Sequence, residues 1–318
     1  MRAIVRKINL SLPRSILIIA GPTASGKSGF SLEVADKYDG VIINCDSMQV
    51  YSELQIITAR PSIVDERDIP HKLYGMISVA DFFSVGIWRD LAINEIKACW
   101  QSGKLPIITG GTGLYIKALM EGLTQIPAVS REIREEVIAR RKKIGVEAFH
   151  LELRGFDPVS AERLNKSDSQ RVIRAYEVYV ATERSLSDWH KQERIAEPLS
   201  AHYQSIIFEP PRDLLYAKCE DRLDLMVENG ALDEVRALVD INLDPMRPAM
   251  KALGVSEFLA YLNNDITLEE ALNAAKQSTR RYAKRQMTWF RNQIVQDYRL
   301  NAQYSKSLIP EIFSNIIK

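Results

Sequence analysis

Residues Gly21, Pro22, Thr23, Ala24, Ser25, Gly26, Lys27 and Ser28 match G-x-x-x-x-G-K-[ST] without a mismatch, the spacing of a loop that cradles phosphates. Gly21 and Gly26 tolerate the backbone angles that turn successive N–H groups into a concave nest. A helix starting near Lys27 adds its positive end. Lys27 supplies a compact charge, and the Ser28 hydroxyl suits a Mg²⁺ bound to the same phosphates. Such a loop reads a diphosphate or polyphosphate, not a base or a sugar. A nucleoside triphosphatase or kinase is therefore the default expectation, with a plain glycine-containing turn as the bland alternative.

A nucleotide-hydrolysing loop usually works with an acid at the end of an apolar strand. The apolar run 105–109 ends in Thr109 instead. The run 41–45 ends at Asp46, and Ser47, Met48, Gln49, Val50 and Tyr51 follow. A carboxylate at a strand's C-terminal end faces the crevice where parallel sheets bind ligands. There it can serve as general base or metal ligand. Its bland alternative is a helix cap or a loop salt bridge.

The stretch 271–296 holds Lys276, Arg280, Arg281, Lys284, Arg285 and Arg291 and no acid. Lys276, Arg280 and Lys284 recur every four residues, on one helical face. Tyr282, Trp289 and Phe290 are interleaved. A solvated helix is usually charge-mixed, so this stretch predicts a phosphate-bearing partner, a nucleic acid or a small substrate, with aromatics packed inward and basic residues merely solvated as the bland alternative. Gln170-Arg171-Val172-Ile173-Arg174 places two arginines one turn apart. The surrounding 122–200 has 14 basic against 13 acidic residues. Any nucleic-acid contact there depends on a few placed arginines.

The elements that must hold these residues follow from hydropathy. Ser15–Ala20, Val41–Cys45 and Leu105–Thr109 are short continuous apolar runs, each followed by a turn and a helical pattern. That is the signature of parallel strands buried on both faces in an α/β sheet. From 122 to 200 strand-like runs vanish and charged helical stretches take over (131–143, 147–154, 158–165, 168–182). Strand character returns at Ser205–Phe208, followed by helices over 212–240 and 267–296. The chain thus reads as a phosphate-loop parallel-sheet core in two parts, 1–121 and 201–318, interrupted by an all-helical insertion, 122–200.

The 318 residues carry 42 Lys plus Arg against 41 Asp plus Glu and are 46% hydrophobic. This is an ordinary globular balance, which excludes disordered, collagen-like and bulk polycationic proteins. The longest apolar run is too short for a membrane span. Three scattered cysteines argue against a zinc ribbon or disulfide framework and fit a reducing compartment. Arg2, Arg6, Lys7 and Arg14 form a basic N-terminal stretch that reads as a solvated tail, with a transit peptide as the alternative.

The motifs, taken in order, resemble those of the tRNA dimethylallyltransferase, or tRNA isopentenyltransferase, family. They are GPTASGKS (21–28), CDSMQVY (45–51), TARP (58–61), GKLPIITGGTGLY (103–115), SDSQRVIRAYEVY (167–179) and RRYAKRQMTWFRNQ (280–293). The resemblance runs from about 15 to 295 and to the compact bacterial form. It implies a loop holding the diphosphate of dimethylallyl diphosphate, and transfer of the dimethylallyl group to N6 of the adenosine just 3′ of the tRNA anticodon. Asp46 matches the general base, Thr23 the threonine near the bridging oxygen, and Arg222 an arginine that neutralises the departing diphosphate. Asp46, Ser47, Met48 and Gln49, the stretch Gln170 to Arg174, Thr112, Arg134, and Lys284, Arg285 and Arg291 match tRNA-contacting positions. Lys251 to Ser256 falls where some members also touch tRNA. The sequence departs from the family pattern at Gln55-Ile56-Ile57, at Leu253 to Ser256 and at Lys218.

The implied cofactor is Mg²⁺ at Ser28, and the implied partners are the tRNA anticodon stem-loop and dimethylallyl diphosphate. A cytoplasmic monomer with no membrane association is expected. A phosphate-loop kinase, a transferase prenylating free AMP and a non-catalytic RNA-binding protein are the rival readings.

Overall fold

The computed structural model describes residues 8–66, 68–124, 126–191, 199–241, 243, 247–294, 297–315 and 317. Arg2, Arg6 and Lys7 of the basic N-terminal stretch lie outside the described residues. The first half of the chain runs β1 (Ser15–Ala20), α1 (Lys27–Lys37), β2 (Gly40–Asn44), α2 (Ile63–Glu66), β3 (His71–Lys72), α3 (Val85–Gln101), β4 (Leu105–Gly110) and α4 (Gly113–Glu121). Four helices follow: α5 (Arg131–Phe156), α6 (Pro158–Arg163), α7 (Ser169–Thr182) and α8 (Leu186–Lys191). The chain then returns to β5 (His202–Phe208), α9 (Arg212–Glu228), α10 (Ala231–Asp240), α11 (Val255–Leu262), α12 (Leu268–Gln293), β6 (Tyr298–Leu300) and α13 (Ile309–Asn315). It divides into two compact units, 1–120 with 199–318, and 121–198.

The six strands form one parallel sheet in the order β3-β2-β4-β1-β5-β6. Successive residues of β1 point to opposite faces. Ile16 and Ile18 join one buried cluster with Trp88, Ile96, Phe258 and Phe290, while Leu17 and Ile19 join another with Phe30, Val34, Phe208 and Ile312. Two covered faces explain why β1, β2 and β4 are apolar at nearly every position. They also bring the C-terminal ends of these three strands together, with β4 paired to both others.

Helix α12 begins with a reciprocal capping box. The Glu270 N–H donates to Thr267 Oγ1 at 3.2 Å, and the Thr267 N–H donates to Glu270 Oε2 at 2.8 Å. Ala271, Ala275, Thr279, Ala283, Gln286, Met287 and Phe290 form its buried stripe, at the three- and four-residue spacing of one helical face. Ala271 and Ala275 share a buried cluster with Phe258 of α11, and Ala283 shares one with Leu215 and Cys219 of α9.

In the unit 121–198, α5 is two helical segments meeting at Gly145, whose φ of 82° breaks the helix. That separates the stretches expected at 131–143 and 147–154. Asp157 is fully buried and accepts the Ser160 and Ser187 N–H groups at 3.0 and 3.1 Å, tying α6 to α8.

Candidate active site

The phosphate loop lies between β1 and α1, with a left-handed Gly26 (φ 87°) at the start of α1. A Cβ added to Gly26 would sit 2.5 Å from the Tyr304 Cβ, so glycine is required by space as well as by angle. Pro22 O accepts the Ser25 N–H at 3.3 Å and the Lys27 ammonium at 3.2 Å. Burial pushes Lys27 down to about 8; the Asp46 carboxylate opposes that shift and the Arg222 guanidinium adds to it.

Asp46 follows β2. Its Oδ1 accepts the Met48 N–H at 2.9 Å, and its own N–H donates to Asn44 Oδ1 at 2.8 Å. Among the described residues Asp46 shows neither the helix cap nor the loop salt bridge of its bland alternative; it closes a turn of its own loop, which occupies one carboxylate oxygen. Asn44 Nδ2 donates to Asp46 O and Leu73 O, both at 3.0 Å, and Asn44 O accepts the Trp88 indole N–H at 2.8 Å. Asp46 is thus held on a hydrogen-bonded scaffold, a requirement for a positioned base. Ser47 is tied to the β4 loop, its N–H donating to Thr112 Oγ1 at 3.0 Å. Gly110 allows that approach, since any Cβ there would collide with Cys45 O.

Arg222, on α9, donates to Thr23 Oγ1. Its Nε is buried without a hydrogen-bond partner among the described residues, and burial lowers its pKa. A buried cation with an unsatisfied donor is costly unless an anion meets it. Thr23, Lys27, Ser28, Asp46 and Arg222 line one cavity of about 400 Å³. Ala59, Tyr74 and Leu225 line it too, so it offers apolar surface beside the phosphate loop. Thr109, where an NTPase's acid would stand, shares a hydrogen bond with Ser31 at 2.8 Å.

Sequence reasoning missed several residues of this site. Gln286 Oε1 accepts the Thr23 N–H at 2.8 Å, and Gln286 Nε2 donates to Gly111 O at 2.9 Å. It was findable as the one amide side chain on the buried stripe of α12. Glu234 accepts the N–H groups of Gln55, Ile56 and Ile57 at 2.9, 2.8 and 3.0 Å, fixing the segment that leads to Thr58 and Ala59. Gln49 Nε2 donates to Thr58 O and Ala59 O, each at 2.9 Å, so that donor is committed to the cavity wall.

The basic stretch needs one revision. Lys276 pairs with Asp224 at 2.7 Å and Arg280 pairs with Glu220, both acids on α9. The acids absent from 271–296 are supplied by the neighbouring helix, and only part of the stretch needs an outside partner. Arg281, Lys284 and Arg285 have no carboxylate partner among the described residues. With Thr288, Trp289, Asn292 and Gln293 they line a second cavity of about 610 Å³. Arg291 pairs with Glu209.

In the helical unit Gln170 and Arg171 are exposed. Val172 and Ile173 are 1% and 6% exposed, so their side chains pack inward. Arg134 and Arg174 share Glu177, at 3.0 and 3.8 Å.

The IPP transferase family model matches residues 49–293. A tRNA dimethylallyltransferase of Rhodospirillum centenum is 48% identical over 282 residues, 89% of this chain and 90% of the relative. Another, of Paramagnetospirillum magneticum, is 47% identical over 300 residues, 94% of this chain and 95% of the relative. Among solved structures, a tRNA isopentenylpyrophosphate transferase from Bacillus halodurans superimposes with a TM-score of 0.68 at 33% identity, covering 95% of both chains. A eukaryotic dimethylallyltransferase acting on tRNA gives 0.73 at 27% identity, covering 96% of this chain and 73% of that one. With the family model spanning the helical unit and the basic helix, and with relatives near half identity along almost the whole chain, this protein belongs to the IPP transferase family, the tRNA dimethylallyltransferases.

Proposed function

We propose that this chain transfers the dimethylallyl group of dimethylallyl diphosphate to N6 of the adenosine 3′-adjacent to the tRNA anticodon, releasing diphosphate. The observation that carries this reading is the shared cavity. A carboxylate, two half-buried cations and a phosphate loop line one space that also offers apolar surface. A nucleotide-hydrolysing loop usually works with an acid at the end of an apolar strand, and β4 carries Thr109 there instead.

The exocyclic amine of adenine is a weak nucleophile because its lone pair is delocalised. In the step, N6 bonds to C1 of the dimethylallyl group as the C1–O bond breaks. Asp46 takes the N6 proton, and the bonding pair leaves with the diphosphate. Lys27, Arg222 and the loop N–H groups neutralise the growing charge, with Thr23 Oγ1 held by Arg222 beside them. General-base help is typically worth about 10²–10⁴-fold in rate. Turning the adenosine out of the anticodon loop costs on the order of a few kcal/mol. Contacts from Arg281, Lys284 and Arg285, and from Arg134, Arg171 and Arg174 of the helical unit, offset that cost.

The residues present fit a Mg²⁺ bound chiefly by substrate. Ser28 is exposed at the start of α1 and lines the cavity. The described residues include no group of three His, Cys, Asp or Glu able to hold a metal. Mg²⁺ commonly uses few protein ligands and completes its shell with phosphate oxygens and water. Ser28 Oγ would hold it, and when bound it supplies further neutralisation of the diphosphate.

The protein works as a cytoplasmic monomer on this reading. Cys45, Cys99 and Cys219 are free and buried, as suits a reducing compartment. No helix among the described residues is long and apolar enough to cross a membrane. Incubation with labelled dimethylallyl diphosphate and either tRNA or AMP, without ATP, tests the function. Label on tRNA supports it, and label on AMP alone favours the nucleotide-prenylating rival.

A further inference from the structure

The C-terminal segment after α12 lies beyond the residues matched by the family model, 49–293, yet it reaches the phosphate loop. Strand β6 pairs with β5 (Phe208 with Leu300), and the Glu209 N–H donates to Leu300 O at 2.8 Å. The next residues then pass behind the loop. Gln303 Nε2 donates to Ala24 O at 3.0 Å, and the Tyr304 N–H donates to Ser25 O at 3.4 Å. The Tyr304 side chain packs on Gly26 and Gly29, where an added Cβ would lie 2.5 and 2.9 Å from it. Its ring centroid is 6.0 Å from that of Phe30 and 6.5 Å from that of Phe208.

These bonds act on the part of the loop that does the binding. Ala24 sits at φ 62° and Gly26 at φ 87°, so this backbone turns left-handed at two of three positions. A non-glycine residue in that region persists only where its surroundings hold it. A peptide unit is planar and trans, so the direction of a carbonyl fixes the opposite direction of the next N–H. Holding Ala24 O aims the Ser25 N–H away from the strap and onto Pro22 O, the bond seen at 3.3 Å. Holding Ser25 O likewise aims the Gly26 N–H away from Tyr304, and Gly26 lines the cavity.

We propose that Gln303 and Tyr304 form a strap that sets the peptide planes of the phosphate loop for diphosphate, with Gln303 as a positioning residue. The proposal rests on the reading of this loop as a diphosphate site. The test uses the full chain, calorimetric binding of inorganic diphosphate, and steady-state kinetics with tRNA. Gln303→Glu cannot donate to Ala24 O and sets a carboxylate against it. Gln303→Met removes the donor without adding charge. Loss of one such hydrogen bond predicts about three- to tenfold weaker diphosphate binding for the methionine variant and a larger loss for the glutamate variant. The KM for dimethylallyl diphosphate should rise in parallel while the KM for tRNA stays put, and the melting midpoint should fall no further than the loss of one hydrogen bond implies.

A folded variant that binds diphosphate within twofold of the unaltered protein overturns the strap. So does a uniform fall in active protein with unchanged KM values, or loss of the fold in both variants, since each assigns Gln303 a merely structural role. If the unaltered protein binds inorganic diphosphate but labels no tRNA, the proposed function fails while the variants still decide the strap. If it binds no diphosphate, both ideas fall.

Discussion

Gln286 clamps Thr23: its Oε1 accepts the Thr23 N–H at 2.8 Å while its Nε2 donates to Gly111 O at 2.9 Å. One buried carboxamide on α12 thereby joins the loop after β1 to the loop after β4, on the helix that also carries Arg281, Lys284 and Arg285. Gln286→Leu strands two backbone groups, each worth about 1–3 kcal/mol when left unsatisfied and buried. We expect a stability loss of about 2 kcal/mol or more, read from the denaturant midpoint, with a raised KM for dimethylallyl diphosphate. Unchanged values for both would make the clamp incidental.

Asp46 serves both its own loop and the reaction, and two substitutions separate these roles. Asp46→Asn retains an oxygen for the Met48 N–H but cannot take a proton. Asp46→Ala loses both. Both should lower the single-turnover rate at least about a hundredfold, with tRNA affinity little changed. Only the alanine variant should also lose stability. An asparagine variant of normal rate would remove Asp46 from the base role.

Lys27 gives a pH signature. Its folded-state pKa is depressed to about 8 from 10.5, so the folded protein releases this proton before the unfolded chain does. Below about 8 the buried ammonium is charged and costs stability. As pH rises from there toward 10.5 that cost is relieved. Diphosphate binding needs the charged form, so kcat/KM for dimethylallyl diphosphate should fall along an alkaline limb near pH 8. Lys27→Arg should move that limb well upward, whatever its effect on absolute rate. A limb that stays in place would assign it to another group.

Arg285 and Arg174 should act on tRNA alone. Arg285 lies over the Tyr282 ring at 5.6 Å and has no carboxylate partner among the described residues. Arg285→Ala should weaken tRNA binding and flatten its salt dependence by about one phosphate contact. Arg174→Ala should do the same less strongly, because Glu177 already claims part of its charge. Filter binding across a salt series reads both effects. Parallel salt slopes for both variants and the unaltered protein would place the tRNA surface elsewhere.

The legible parts of this molecule were those where one residue type has few physical uses. Strands β1, β2 and β4 are buried on both faces, which leaves a continuous apolar run. The loop 21–28 needs glycine, lysine and a hydroxyl at fixed spacing. Strands β3 and β6, of two and three residues, are too short to show periodicity. The partners of Lys276 and Arg280 were hidden because their acids sit on α9, far off in sequence. Gln303 carried no signal: a glutamine in an irregular segment becomes a loop-positioning group only when the sheet brings it behind Ala24.

The most direct measurement is product analysis. The chain is incubated with labelled dimethylallyl diphosphate, Mg²⁺ and tRNA without ATP, and the modified nucleoside is identified after digestion. The expected result is one N6-dimethylallyl adenosine next to the anticodon, diphosphate released in equal amount, and at least about a hundredfold slower labelling with Asp46→Asn. Label that requires ATP, that appears on free AMP but not tRNA, or that persists undiminished in the Asp46 variant would contradict it.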